Sequence, residues 1–360
     1  MSERKRINLE RFGKLEWVAI AAFILLIALG VLGASGLAER IINSFAGNPA
    51  NQISPISSQP SVAITSNTPQ LSKELIYSGS RLISVEDANA SAAPPADLAV
   101  WRPSTGVWYV LGGQGSQQVF MQWGTNGDTT VPGDYDGDGK TDFSVFRPSE
   151  GNRYIQRSSD SSMNAYQFGL SNDKTAQADF DGDGKTDAAV FRPSNGTWYI
   201  LRSSDAGVIY QQFGLSTDTP ATADFDGDGK ADIGVWRNDS AAFYSINSSN
   251  GQLQTINYGQ AGDVPVCGDY DGDGRADYAV RRGNQWLIRQ SSNLQTQTIT
   301  WEQATDKAVQ NDYDGDGKLD VAVWRESNGT WYIRNTSTGG LRQVQWGMTG
   351  DIPVPAFYRR

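Results

Sequence analysis

Short segments of alternating hydrophobic and polar residues recur over the last two-thirds of the chain. One of them, Phe143-Ser144-Val145-Phe146-Arg147, is matched by the residues at 188–192, 233–237, 278–282 and 321–325. Alternation with a period of two predicts a β-strand. One side of the strand always carries a small residue, such as Ser144, and the other positions are apolar, so the pattern indicates a strand that is covered on both faces.

Each of these strands begins a similar series of elements. A turn at 193–196 leads to a second strand at 197–201, a third strand ends at 212–214, and a segment such as 263–266 leads into the next unit. Each period therefore contains four short strands. This pattern is typical of one blade of a β-propeller, so the sequence predicts an all-β fold.

The ends of the repeat array predict how the ring closes. Residues 97–104 reproduce the strand that follows a loop elsewhere, and residues 350–358 reproduce the strand that precedes one. Together they complete one blade, which removes exposed strand edges from the array. We therefore expect six blades over residues 96–360. A seventh, to which a hairpin at 75–85 would contribute, is the alternative.

The N-terminal part of the chain has a different composition. Residues 1–16 contain five cations, and residues 17–38 contain no charge over 22 positions. A helix of that length rises about 33 Å, enough to span a hydrocarbon core of about 30 Å. The charge distribution predicts a cytoplasmic tail at 1–16, a single membrane-spanning signal anchor at 17–38 and an extracytoplasmic remainder. A cleaved signal peptide is the alternative, and it would give a secreted protein.

The segment after the predicted anchor has too few clustered apolar residues to fold alone. Residues 39–74 are rich in Ser, Asn and Pro, which favours a flexible, disordered linker. Residues 75–95 read as a short hairpin and a connector. We expect the propeller to follow from residue 96.

The most distinctive feature of the chain is an acidic nonapeptide between the first and second strands of the repeat. It begins at 134, 179, 224, 269 and 312, with Asp at positions 1, 3, 5 and 9 and Gly at positions 4 and 6. Carboxylates at alternating positions of a tight loop converge on one point, and Ca²⁺ binds six to eight such oxygens. Mg²⁺ is disfavoured because it prefers a smaller octahedral site. Asp-Gly turns with solvated carboxylates are the simpler alternative.

The sequence therefore predicts about five calcium sites, in which the residue at position 7 contributes its backbone carbonyl. The predicted ligands are Asp134, Asp136, Asp138, Lys140 and Asp142; Asp179, Asp181, Asp183, Lys185 and Asp187; Asp224, Asp226, Asp228, Lys230 and Asp232; Asp269, Asp271, Asp273, Arg275 and Asp277; and Asp312, Asp314, Asp316, Lys318 and Asp320.

Charge and composition exclude several functions. The net charge is −10, of which the five loops carry −15, so the rest of the chain carries +5 and five Ca²⁺ ions would neutralise the formal excess. This acidity argues against a nucleic-acid partner. The chain has no histidine, which removes the usual general base. Cys267 is the only cysteine, so it forms no disulfide within the chain and reads as a small buried residue.

The loops resemble those of a known family. The motif Asp-x-Asp-Gly-Asp-Gly-x-x-Asp occurs five times, Phe-Gly stands at 168–169 and 213–214, and Trp-Gly stands at 123–124 and 346–347. This combination is similar to the FG-GAP/VCBS repeat family, the calcium-loop propellers that include the integrin α-subunit head. The resemblance covers about residues 97–358, although the family's Gly-Ala-Pro element is kept only loosely at 262–265. It implies a calcium-stabilised propeller used for adhesion or for contacts with proteins and glycans.

Periodic aromatic and arginine positions have a structural interpretation. One aromatic set is Trp108, Trp198, Phe243, Trp286 and Trp331; a second is Trp123, Phe168, Phe213, Tyr258, Trp301 and Trp346. We expect packing between blades, with a sugar-binding ring as the alternative. The arginines at 102, 147, 192, 237, 282 and 325 are equally regular, which favours a structural ion pair or a clamp on carbonyl groups.

Positions that break the repeat are candidates for a partner surface, with ordinary drift as the alternative. Arg153 replaces a strand aromatic residue, Arg281 replaces Phe or Trp, and Glu302 replaces the Gly after Trp301. The fifth repeat is also two residues short around Gly283 and Asn284.

The sequence hypothesis is a non-enzymatic, membrane-anchored, calcium-binding propeller outside the cytoplasm. It would mediate protein–protein interaction or adhesion, for example as the accessory subunit of a membrane complex. A lectin-like propeller that binds glycans is the second hypothesis, and an enzyme is the third.

Overall fold

The computed structural model describes residues 74–78, 81–86, 95–112 and 117–358, and all regular elements in these ranges are strands. Within them no helix is long and apolar enough to cross a membrane. The predicted tail, membrane anchor and linker, up to residue 73, lie outside the described residues.

Twenty-four short strands form six four-stranded antiparallel sheets, which we number I to VI along the ring. In chain order the first blades contain β3 Leu98–Arg102, β4 Val107–Leu111 and β5 Gln118–Gln122 (I); β6 Thr129–Thr130, β7 Phe143–Arg147, β8 Asn152–Gln156 and β9 Met163–Gln167 (II); and β10 Lys174–Thr175, β11 Ala188–Arg192, β12 Thr197–Leu201 and β13 Val208–Gln212 (III). The remaining strands are β14 Thr219–Pro220, β15 Ile233–Arg237, β16 Ala242–Ile246 and β17 Leu253–Asn257 (IV); β18 Val264–Pro265, β19 Tyr278–Arg282, β20 Gln285–Arg289 and β21 Thr296–Thr300 (V); and β22 Lys307–Ala308, β23 Val321–Arg325, β24 Thr330–Arg334 and β25 Leu341–Gln345 (VI). The last strand, β26 Ile352–Pro353, belongs to blade I. The predicted all-β, six-bladed propeller is confirmed.

The predicted closure is also confirmed. Strand β26 pairs antiparallel with β3, so that Ile352 lies opposite Trp101 and Pro353 opposite Val100. Blade I therefore has the strand order β26-β3-β4-β5 and is built from both parts of the propeller sequence. An isolated bridge between Asp97 and Ala356 extends this pairing.

The predicted hairpin is present as a separate two-stranded sheet. Strands β1 (Glu74–Ser78) and β2 (Arg81–Glu86) pair antiparallel, with a register irregularity between Ile76 and Tyr77. This hairpin pairs with no blade among the described residues, so the seven-bladed alternative is wrong.

The hydrophobic core lies between neighbouring blades. The second strand of each blade buries most of its side chains, as in β11, where the four residues before Arg192 are buried. Clusters join residues of adjacent blades; for example, Val100 of blade I packs in one cluster with Trp324 and Trp331 of blade VI. The small residues on one face, such as Ala189 and Ala279, are fully buried, which explains why the sequence avoids bulk there.

Candidate metal centres

The acidic loops join the first and second strands of blades II to VI. In the first of them, Gly137 and Gly139 have φ angles of 81° and 83°, a region that L side chains rarely adopt. The corresponding glycines of the other loops have φ between 77° and 84°. The glycines at positions 4 and 6 therefore permit the fold that brings the carboxylates together.

Backbone N–H groups orient the carboxylates at positions 1 and 9. In the third-blade loop, Asp179 Oδ1 accepts from Gly182 N at 2.6 Å and Oδ2 accepts from Gly184 N at 2.9 Å. Asp187 Oδ2 accepts from Phe180 N at 2.9 Å, and its Oδ1 accepts from Ser203 N at 2.6 Å. The side chain at position 9 is completely buried in all five loops. These hydrogen bonds fix each acid before any ion binds.

A pair of hydroxyl residues, absent from the sequence prediction, supports the loops of blades II to VI from the turn between the third and fourth strands of the blade. In blade III, Ser203 Oγ lies 2.9 Å from Asp183 Oδ1, and Ser204 Oγ donates to Asp181 Oδ2 at 2.5 Å. The pairs 158–159, 248–249 and 291–292 make the same contacts. In blade VI, Ser337 Oγ donates to Asp316 Oδ2, and Thr336 Oγ1 donates to the carbonyl oxygen of Leu319. Blade I, which has no acidic loop, carries Gly113 and Gln114 at this point of the sequence. The Ser-Ser repetition was therefore the available sequence signal.

The structure brings three carboxylates together in each loop, with one oxygen of each within 4.8 Å of the others. In blades II to IV these are positions 1, 3 and 9, namely Asp134, Asp136 and Asp142; Asp179, Asp181 and Asp187; and Asp224, Asp226 and Asp232. In blades V and VI they are positions 1, 3 and 5, namely Asp269, Asp271 and Asp273; and Asp312, Asp314 and Asp316. Positions 1 and 3 are common to all five groups, and the carbonyl at position 7 stays a predicted ligand.

Two carboxylate oxygens show that the loops fit a cation. Oδ1 of Asp226 and Oδ1 of Asp314, both at position 3, are buried and accept no hydrogen bond. A buried carboxylate oxygen without a partner is unfavourable. A hard cation such as Ca²⁺, which binds oxygen ligands only, would satisfy it.

Burial and neighbouring acids also disfavour the ionised carboxylates. Desolvation raises the pKa of Asp277 to about 6 and that of Asp320 to about 7. The charges of Asp312 and Asp314 add to the effect at Asp320. A bound cation would reverse this effect by favouring the ionised form.

Successive loops are joined by hydrogen bonds around the ring. The N–H at loop position 8 donates to the carbonyl oxygen at position 1 of the preceding loop: Thr186 to Asp134, Ala231 to Asp179, Ala276 to Asp224 and Leu319 to Asp269, at 2.6–2.7 Å. Blade I completes the circle, because Ala96 N donates to Asp312 O at 2.7 Å and Thr141 N donates to Phe357 O at 2.9 Å. The loops thus form one continuous hydrogen-bonded circle.

The periodic arginines form ion pairs with acids that sequence reasoning did not single out. Arg192 Nε and Nη2 donate to Asp173 Oδ1 and Oδ2 at 2.9 and 2.8 Å. The same residue stacks on Tyr199, with 4.1 Å between the guanidinium carbon and the ring centroid. The other pairs are Arg102–Asp351, Arg147–Asp128, Arg237–Asp218, Arg282–Asp263 and Arg325–Asp306. The structural ion-pair interpretation is confirmed.

The periodic aromatic residues pack between blades, as expected. The residues of the first set, from Trp108 to Trp331, are at most 1% exposed. In the second set, the indole N–H of Trp123 donates to Tyr154 O of the next blade at 3.1 Å, and Trp301 and Trp346 make equivalent bonds to Tyr332 O and Tyr109 O. The fully buried set offers no face to a sugar ring.

The residues that break the repeat lie in different surroundings. Arg153 is fully buried and donates to Ala189 O of the next blade at 2.6 Å, so its assignment to a partner surface is wrong. Arg281, Glu302 and the shortened turn at Gly283 converge instead at one place, where blades V and VI meet at the strand ends remote from the acidic loops.

The side chain of Glu302 has room only because Arg281 stands in place of an aromatic ring. At the position of Glu302 the other blades have Gly, and a Cβ built on Gly259 would lie 2.9 Å from a ring atom of Trp236. In blade V the ring is replaced by Arg281, so Glu302 fits there with φ of 55°. The two departures are therefore one coupled change in packing.

Comparisons with known proteins agree with this architecture. Residues 179–235 and 224–280 match the model of the FG-GAP-like repeat, which confirms the resemblance. No curated protein matches the chain.

Two solved structures with similar folds are a lectin and TolB. An Agrocybe aegerita lectin that recognises non-reducing terminal N-acetylglucosamine is 12% identical, with a TM-score of 0.50 over 74% of this chain and 96% of the lectin. TolB from Acinetobacter baumannii is 16% identical, with a TM-score of 0.53 over 75% of this chain and 68% of TolB. At these identities the likeness concerns the fold alone.

Proposed function

We propose that the chain is a non-enzymatic, calcium-stabilised propeller that binds a protein partner outside the cytoplasm, where its N-terminal segment anchors it to the membrane. The FG-GAP-like repeats favour an interaction domain. The observation that carries the calcium assignment is the convergence of three carboxylates in each of five loops, with orphaned oxygens at Asp226 and Asp314.

Calcium has a structural role in this proposal. The loops lie between strands and are joined into a circle through their backbones, so an ion in one loop also restrains the next. The carboxylates are then committed to metal binding and strand alignment. The partner surface is expected on other parts of the ring, and a protein partner explains the need for a rigid, closed scaffold.

Glycan binding remains the second candidate, because aromatic side chains on outer strands are accessible. Tyr210 is exposed and packs edge-on against Tyr199, and Phe120 makes the same contact with Tyr109. Such rings can stack on sugars, unlike the buried aromatic set.

The test combines metal analysis with partner capture. The detergent-solubilised full-length chain is purified in calcium, its bound metal is counted, and partners are captured by cross-linking with calcium or with a chelator. The proposal expects about five Ca²⁺ per chain and a defined protein partner that is lost in chelator. A chain that binds no Ca²⁺, or that recovers only glycans, contradicts the proposal.

Membrane anchoring has a separate test. A chain that resists extraction by carbonate and keeps its N-terminal sequence is an anchored protein. A chain found in the soluble fraction without residues 1–38 is a secreted one, and this outcome rejects the anchor.

A further inference from the structure

A half-open cavity of about 560 Å³ lies between blades V and VI, at the strand ends remote from the acidic loops. Its walls come from the first strands of both blades and from the irregular part of blade V. The main lining residues are Val264, Pro265, Arg281, Gly283, Ala304 and Lys307. A volume of this size is typical of a pocket for a small ligand.

The departures from the repeat create the cavity wall. The turn between β19 and β20 has only Gly283 and Asn284, whereas the corresponding turn between β11 and β12 spans residues 193–196. Asn284 Nδ2 donates to Glu302 O at 3.1 Å and fixes the opposite segment. The shorter turn leaves the side chain of Arg281 beside the cavity, where other blades place an aromatic ring.

Arg281 is a buried cation that lacks an ion pair of its own. It is 8% exposed, and its Nη1 and Nη2 donate to the carbonyl oxygens of Asp306 and Gln303. The Asp306 carboxylate accepts from Arg325 at 2.9 and 2.8 Å, and Glu302 also pairs with Arg325. The carboxylates of Asp306 and Glu302 therefore pair with Arg325 and not with Arg281.

Two neighbouring buried N–H groups, one of them on Arg281, lack hydrogen-bond acceptors. Its Nε makes no hydrogen bond, and neither does Nε1 of Trp286, which lies directly opposite on the paired strand. In blade III the equivalent Trp198 donates to Phe213 O at 3.0 Å. Of these two residues only Arg281 lines the cavity. Buried N–H groups without acceptors are unfavourable, so an oxygen ligand that reached Arg281 from the cavity would satisfy its Nε.

The charge around the cavity limits the ligand. Arg281 and Lys307 line it, and no lining residue is acidic. Lys307 already forms an ion pair with Glu326 at 3.0 Å, so the net positive charge beside the cavity is small. This arrangement favours a single carboxylate over a dianionic phosphate, and the walls of Val264, Pro265 and Ala304 favour an uncharged body.

We propose that this cavity binds a ligand with one carboxylate on a compact, otherwise uncharged body, and that Arg281 and Lys307 contact the carboxylate. This inference rests on the proposed function of the propeller as a binding module. It assigns the site to blades V and VI and makes it distinct from the calcium loops. Either an acidic sugar or the C-terminal residue of a peptide carries this chemistry.

The test uses the full-length chain in detergent with saturating calcium and ligand-observed NMR. Sodium glucuronate represents an acidic sugar, sodium N-acetylglycinate represents a peptide C-terminus, and the methyl ester of each is the uncharged control. We expect at least one acid to bind about tenfold or more tightly than its ester, because charge-assisted hydrogen bonds are lost in the ester. The acid that binds more tightly identifies the source of the carboxylate.

Three variants test the location. Val264→Glu adds a negative charge at an exposed position of the wall and should abolish binding, whereas Thr219→Glu, at the equivalent position of blade IV, should not. Lys307→Gln should weaken binding, and Lys174→Gln, its equivalent in blade III, is the control. Arg281→Met should weaken binding about tenfold or more.

Three results would overturn the inference. The inference is rejected if neither acid binds a chain that melts cooperatively, if the esters bind as well as the acids, or if Val264→Glu and Thr219→Glu behave alike. Calcium dependence of the melting temperature is measured on the same samples. Normal calcium stabilisation without carboxylate binding therefore rejects this inference and leaves the proposed function intact.

Discussion

Arg102 and Asp351 are separated by 249 residues and form a two-point ion pair in blade I, with Nε–Oδ1 at 2.7 Å and Nη2–Oδ2 at 2.9 Å. The Asp351 side chain is 1% exposed and that of Arg102 is 23% exposed. The same pair recurs in every blade, but only here does it join the first and last strands of the ring.

Replacing Asp351 by Asn should therefore weaken ring closure. We expect the free energy of unfolding to fall by about 2 kcal/mol, because a charged hydrogen-bonded pair is lost from a buried position. We also expect a smaller dependence on denaturant, since β26 pairs over only two residues and blade I would open first. Denaturant unfolding measures both quantities.

The matched control is Asp218→Asn, which breaks the Arg237–Asp218 pair of blade IV at 2.7 Å. It should give a similar loss of free energy with an unchanged denaturant dependence. Identical denaturant dependence in the two variants would show that closure is not a separate step.

Removal of two predicted ligands should remove one ion. Asp181→Asn combined with Asp183→Asn leaves the backbone of the blade III loop in place but takes away two charges. Metal analysis should give about one Ca²⁺ fewer, and the melting temperature in calcium should fall because a saturated site at 100 times its Kd stabilises the fold by about 2.7 kcal/mol. Asp160→Asn, at an exposed turn, is the control, and an unchanged metal count would contradict the ligand assignment of this loop.

Ser203 and Ser204 should raise the calcium affinity of the blade III loop without being ligands themselves. In Ser203→Ala with Ser204→Ala, Asp183 and Asp181 lose their hydroxyl donors at 2.9 and 2.5 Å. We expect calcium affinity at this loop to fall about tenfold, because groups that orient ligands typically have effects of this size. Calcium titration against a chromophoric chelator measures the change. Ser194→Ala, in the exposed turn before β12, should bind as the wild type does.

The steric coupling of Arg281 and Glu302 predicts a non-additive double substitution. Arg281→Trp alone should destabilise the fold, since the ring would meet the Cβ of Glu302 as the ring of Trp236 would meet a Cβ on Gly259. Adding Glu302→Gly should restore stability, with an interaction free energy of about 1 kcal/mol or more. Thermal or denaturant unfolding of the four proteins gives this value, and additive effects would disprove the coupling.

Cys267 should react slowly with thiol reagents in the folded chain. Its Sγ lies 3.9 Å from Ala279 O, and desolvation raises the pKa of Cys267 to about 12. The thiolate is the reactive form, so the raised pKa leaves very little of it at pH 8. Ellman's reagent should therefore label the native protein much more slowly than the unfolded one, and equal rates would place the thiol in solvent.

The regular parts of the molecule could be predicted because their sequence signals are repeated. Five acidic nonapeptides, together with strand patterns such as 143–147, define the period, and the incomplete units at 97–104 and 350–358 locate the closure. Pairing of β26 with β3 follows from these units alone. The partners of the periodic arginines were not predicted, because Asp128, Asp173 and their equivalents lie in connecting segments where an acid has many ordinary roles.

The irregular positions could not be interpreted from the sequence, since their meaning depends on what lies across the blade interface. Arg153 and Arg281 both replace aromatic residues, yet one is sealed between blades and the other borders a cavity. Likewise, the sequence alone does not show that Glu302 is tolerated because Arg281 has removed the ring beneath it.

The closure of blade I also has a mechanical consequence. A pulling force applied through the chain before Leu98 enters the ring at β3, the strand that the two-residue strand β26 holds in place. The load would then shear β26 from β3 and strain the Arg102–Asp351 pair, and through the bond from Ala96 N to Asp312 O it would also reach the acidic loop of blade VI. Blade I, which the two-residue strand β26 completes, is thus the point at which tension would first open the ring.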